Sequence, residues 1–229
     1  MNAPRLPHPR AAISRATEIK RLRRGNELSS DVLHFAVVEG NPQSAQWHHP
    51  PMTMDAAAPW LCWSGSLGAG PFEPDPRNWM RQGHEAFKAW VERLAAAFAA
   101  DDSTTRRTHC AVIPHHAQLL SDLSGQMRLW QQYGGAGIGT VLHPAALIAP
   151  SMLRDLEDHV TRSISMLASR CVVCILQDIE PVQRGTEVAE VRLVPWGSGQ
   201  MPHALVERLL NEHLPPHIPV CIPTDALPT

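Results

Sequence analysis

Residues 140–222 read TVLHPAALIAPSMLRDLEDHVTRSISMLASRCVVCILQDIEPVQRGTEVAEVRLVPWGSGQMPHALVERLLNEHLPPHIPVCI. Six segments follow one another in this stretch. An apolar run over 141–148 is interrupted by Pro144, which belongs at an edge or a bulge. A helix over 151–169 turns Leu153, Leu156, Val160, Ile164 and Leu167 inward. A β-branched run over 171–176 and an alternating run over 188–196 predict two strands, with Arg184-Gly185-Thr186 as a turn. A second helix over 203–213 and a short strand over 220–222 close the series. The order β-α-β-β-α-β predicts a ferredoxin-like unit. The expected class is therefore α/β (α+β), with a mixed or antiparallel sheet.

Upstream, residues 11–24 are compatible with a helix whose apolar stripe is thin. Residues 32–38 (VLHFAVV) predict a strand ended by Gly40-Asn41-Pro42, and residues 60–66 and 108–114 predict two more. Residues 77–99 predict a helix with Phe87, Val91, Leu94 and Phe98 on one stripe, and residues 116–131 another. Gly134–Gly139 read as a helix cap and turn rather than a phosphate loop, because the helix precedes the glycines and no G-K-[ST] follows. Three parts are expected: a basic arm over 1–25, an α/β part over 26–139, and the ferredoxin-like part over 140–229, with one continuous domain over 26–229 as the alternative to the last two.

The composition is that of an ordinary globular protein, 44% apolar and 18% charged, so bulk disorder is excluded. The 21 prolines are about twice the usual share and gather in 1–9, 42–59 and 71–76, marking loops. Five cysteines, no signal-peptide core and no apolar run near the ~18 residues of a membrane span point to reduced thiols in the cytoplasm. The dominance of arginine over lysine, together with abundant alanine, suggests a bacterial coding bias.

Candidate functional residues fall in three groups. Cys110, His115 and His143 are the catalytic candidates, since a thiolate within reach of a histidine base is the pattern of a nucleophilic enzyme. His109 and Cys110 are adjacent on a strand and so face opposite ways. The same alternation, applied to Cys171 and Cys174, places these two thiols on opposite faces and removes a zinc or redox C-x-x-C; neither a metal nor a cofactor is expected. The long loop 43–59 carries Trp47, His48, His49, Met52 and Met54, apolar groups suited to a protein partner. Arg15, Lys20, Arg21, Arg23 and Arg24, with Arg5 and Arg10, make 1–25 basic on a net −2 chain. Residues 5–24 therefore suit nucleic acid or an acidic partner. With no coherent catalytic set, the leading expectation is a non-catalytic subunit or adaptor of a bacterial cytosolic assembly. A Cys/His- or metal-dependent enzyme and a nucleic-acid-associated protein are the alternatives.

Overall fold

A closed ring of strands organises the chain. The computed structural model describes residues 13–22, 28–38, 40–44, 59–99 and 108–223, with the backbone alone for 13–22 and 28–36. In order these form β1 (Ile13–Leu22), β2 (Leu28–Val38), β3 (Trp60–Trp63), α1 (Arg81–Ala99), β4 (Cys110–Ile113), α2 (Leu123–Tyr133) and β5 (Ile138–Leu142). There follow α3 (Leu156–Leu167), β6 (Cys171–Ile175), β7 (Asp178–Arg184), β8 (Glu187–Val194), α4 (His203–His213) and β9 (Val220–Pro223). Strands β2, β3, β4, β5, β6 and β9 are parallel neighbours in that order. Strand β1 runs antiparallel to both β2 and β9 and closes the ring.

Strand register separates two faces. Val38, Trp60, Cys62, Cys110, Val112 and Ile138 point outward into one core with Trp90, Val91, Leu94 and Phe98 of α1 and Leu129 of α2. Val37, Leu61, Trp63, Ala111, Ile113 and Val141 point the other way, into the barrel, and join the larger core. Burial on both faces is what parallel strands covered by helices require, and it explains why these strands read as continuous apolar runs. Each of the four buried α1 side chains contributes about 1.5–3 kcal/mol. Gly139 has to lack a side chain, since a Cβ there would stand 2.7 Å from Val172 Cγ1.

Several expectations are corrected. The ferredoxin-like pairing does not form: β5, β6 and β9 lie parallel, with a helix in each crossover, as parallel strands demand. Strand β7 was missed because Asp178, Glu180 and Pro181 dilute its apolar character; it pairs with β8 in a separate hairpin that turns at Gly185, φ 68°. Residues 13–22 are a strand and not a helix, and pairing on both edges explains why their apolar stripe is too thin for a docked helix. The helix expected from His116 begins only at Leu123, where Asp122 Oδ1 accepts the Gly125 N–H at 2.6 Å. The strand expected over 141–148 runs from 138 to 142, and Gly137 supplies the left-handed residue before it. Strands from both halves of the chain share the ring, with β4 paired to β5 across residues 139 and 140.

Candidate functional site

Parallel strands all present their C-terminal ends to one mouth of the barrel, and α/β folds place their ligands there. At this mouth the loops leaving β3, β4 and β5 are knitted together. Leu119 N–H donates to Gly65 O (3.0 Å), Leu120 N–H to Ser64 Oγ (3.0 Å) and His116 N–H to Ala146 O (2.8 Å). Gln118 accepts from Ser64 Oγ at 3.0 Å and donates to Pro71 O at 2.9 Å. These bonds fix where the side chains at the strand ends point.

Three histidines gather there. His115 stands edge-on to Trp63 (5.8 Å between ring centres) and Phe72 (5.3 Å), and stacks on His116 at 4.5 Å. His143, directly after β5, lies 6.3 Å from Trp63. Its Nε2 is 3.0 Å from Gln177 Oε1 at the end of β6, and its Nδ1 accepts the Ala146 N–H at 3.4 Å. That pair of contacts assigns the proton to Nε2. His115 Nδ1 likewise accepts the Ala117 N–H at 3.2 Å.

Burial holds all three rings neutral at pH 7. It pushes His115 well below its usual range, helped by His116 and His143 nearby. It lowers His116 against the opposing pull of Glu190, and takes His143 to about 4 against the opposing Gln177 hydrogen bond. Two buried donors in the same cluster, Trp63 Nε1 and Gln177 Nε2, have no hydrogen-bond partner among the described residues. Buried donors in native proteins are almost always satisfied, so a small acceptor at this mouth would complete them.

Beside the cluster, buried Asp178 anchors the base of the β7–β8 hairpin. Its carboxylate accepts N–H groups from Ile179 (2.9 Å), Met201 (2.7 Å) and Gly197 (3.2 Å), and meets His203 Nε2 at 2.6 Å. Burial alone would raise its pKa, but these donors together hold it below the usual carboxylate range.

Of the catalytic candidates, His115 and His143 both lie against Trp63 and Cys110 stands apart. Cys110 is level with Ile138, so His143 lies five residues further along β5, roughly 16 Å away at about 3.3 Å per residue. Its Sγ instead sits 3.6 Å from Cys62 Sγ in the outer core, where burial raises the thiol well above its usual range. His109 stacks on Phe98 at 5.0 Å, away from the mouth. A register shift in β6 sets Cys171 opposite Thr140 and Cys174 opposite Leu142, two residues apart in β5 and so on one face. The alternation expected for the C-x-x-C pair is thereby reversed, yet burial pushes Cys171 up to about 12 and Cys174 well above its usual range. Among the described residues no three His, Cys, Asp or Glu side chains are placed to hold a metal ion together.

The proposed partner contacts Trp47, His48, His49, Met52 and Met54 lie outside the described residues, as do Arg23 and Arg24. Arg15, Lys20 and Arg21 fall in β1, where Lys20 pairs with Val32 and Ile222 and Arg21 with Cys221. Trp63, Phe72, Gln177, Asp178 and His203 were not anticipated. The available signal was Gln177-Asp178 directly after a β-branched strand, which gains meaning only once that strand is known to be parallel. No helix among the described residues is long and apolar enough to cross a membrane. No protein-family model, curated protein or solved structure matches the chain.

Proposed function

We propose that this chain binds and chemically transforms a small polar organic molecule at the C-terminal mouth of its barrel, with His115 and His143 moving protons. What supports this is the meeting of Trp63, His115, His143 and Gln177 at the ends of four consecutive parallel strands. A neutral imidazole takes up or gives a proton only once a nitrogen is released by its neighbour: Nδ1 of each ring accepts a backbone N–H, and His143 Nε2–H is bound by Gln177 Oε1, so a ligand has to displace one of these contacts. The unpartnered Trp63 and Gln177 donors favour a ligand that brings acceptor oxygens. This reading keeps the histidine half of the Cys/His enzyme and leaves the thiols as core residues.

A thermal-shift screen of small metabolites tests it. A true ligand at about a hundred times its Kd adds roughly 2.7 kcal/mol, about 5–10 °C in Tm for a chain of this size. The shift is expected to vanish in His143→Gln and His115→Gln. If no compound distinguishes the native chain from both variants, the proposal fails.

A second reading, the adaptor subunit, draws on a surface patch. Trp130 and Met166 are 40% and 41% exposed, and Arg170 joins them. The Arg170 guanidinium lies 5.3 Å from the centre of the Trp130 ring and donates to Met166 O at 2.6 Å. Tryptophan, arginine and methionine are enriched at interface cores. Co-purification lost in Trp130→Ala would support an adaptor, and a monomer that captures nothing would count against it.

A further inference from the structure

Between α1 and α2, on the outside of the barrel, lies a groove of about 440 Å³. That size falls within the roughly 300–1,000 Å³ of small-molecule sites. One wall is the α1 face of His84, Phe87 and Lys88, and the other is the α2 face of Gly125, Arg128 and Tyr133. Leu120 and Leu129 form the floor, and both belong to the outer core. Trp79 stands at the rim, 48% exposed, as the last residue of the short turn Pro76–Trp79.

The lining combines flat apolar surface with two cations against one carboxylate. Phe87 is held by Trp90, with ring centres 5.7 Å apart, so its face is fixed. Lys88 and Arg128 are the cations, and Asp122 is the one carboxylate of the lining. That carboxylate keeps its charge while its Oδ1 caps α2 through the Gly125 N–H at 2.6 Å, which leaves the lining with one excess positive charge. A Cβ built on Gly125 would stand 3.9 Å from Arg128 Nη2, so the guanidinium lies over the first turn of α2. Arg128 makes no ion pair among the described residues. Lys88 has only an exposed contact with Glu92, at 3.7 Å and open to solvent screening.

We propose that this groove binds a small organic anion with a flat apolar body, its carboxylate or sulfonate on Arg128 and Lys88 and its rings against Trp79, Phe87 and Tyr133. A guanidinium pairs with a carboxylate through two parallel N–H donors, which fixes orientation as well as charge. The site is separate from the histidine cluster and does not depend on it.

The test is a fluorescence titration of the full chain with anilinonaphthalene sulfonate, followed by displacement with naphthoate and with the uncharged naphthalenemethanol. One saturable site is expected, displaced by naphthoate at least tenfold more effectively than by the alcohol. The Lys88→Ala/Arg128→Ala double variant, with native far-UV circular dichroism, is expected to weaken binding by about tenfold or more, since it removes both cations and one charge-assisted pair alone is worth about that much. His143→Gln is expected to bind naphthoate as the native chain does. Any of four results overturns the proposal: no saturable binding, unchanged affinity in the double variant, equal displacement by the alcohol, or loss of binding in His143→Gln.

Discussion

The side chains that matter most to this fold are polar and buried, and their cost shows up as pH dependence. His143 has a folded pKa of about 4, below the ~6.5 of an unfolded histidine. The unfolded chain therefore binds the extra proton, and the stability from keeping this ring neutral is present above pH 6.5 and lost as pH falls toward 4. Between pH 7 and pH 5 the loss is about 2 kcal/mol for this one residue. His115 and His116, also lowered, add to it in the same direction. Urea unfolding at both pH values should show that loss, and His143→Gln should have a shallower slope by about one proton. Asp178 acts lower on the scale: its folded pKa is depressed, so its contribution is present above pH ~4 and lost as pH falls through the folded value. Asp178→Asn should cost about 2–4 kcal/mol at pH 7, the worth of its charge-assisted bonds, and blunt unfolding below pH 4. Gly199→Ala probes the same knot by a different force. Its Cβ would collide with Ile179 O and come within 2.6 Å of Asp178 Oδ1, so a loss of about 2–3 kcal/mol in urea unfolding is expected.

Among the elements, what the sequence displays is burial, and what it conceals is direction. WLCW, CAVI and CVVCI announce strands because both of their faces are covered. The stripes of α1, α3 and α4 announce helices because each has one wet side. Pairing direction has no such local trace, so β-α-β-β-α-β predicts a ferredoxin-like unit in a mixed or antiparallel sheet, whereas its crossovers make parallel neighbours of β5, β6 and β9. The site followed the same rule. His115 is legible just after a strand and His143 as part of the strand expected over 141–148, but Trp63 and Gln177 join them only through parallel pairing. Strand β7, with its exposed Glu180, Gln183 and Arg184, belongs to a ribbon outside the ring. Two-stranded ribbons are marginally stable alone, and this one is held at its base by Ile179, Val191 and Leu193 in the core. Hydrogen exchange should therefore show the tip amides of 182–190 exchanging orders of magnitude faster than those of β4 and β5. Equal protection would mean that the ribbon is covered by a partner or a further segment.

Closure of the whole molecule depends on β1, which pairs with β2 on one side and β9 on the other. This places the first 25 residues in competition between two roles. As a detachable basic arm, they could be removed with loss of salt-sensitive nucleic-acid binding and nothing else, since phosphate contacts weaken steeply with salt. As the closing strand, their removal leaves the long edge of β2 and the short edge of β9 with unpaired N–H and C=O groups, the arrangement that recruits other chains. The pairing of Ile13–Leu22 favours the second outcome. A chain beginning at residue 26 should elute as soluble aggregate in size-exclusion chromatography, with a Tm well below that of the full chain. Charge reversal of Arg15, Lys20 and Arg21 to glutamate in the full-length chain separates the two roles, because it removes the basic charge and leaves the backbone ladder in place. A folded, monomeric reversal variant beside an aggregated truncation would identify β1 as structural. A truncation that stays monomeric at native Tm would return these residues to the role of an arm, and the ring would then have to close without them.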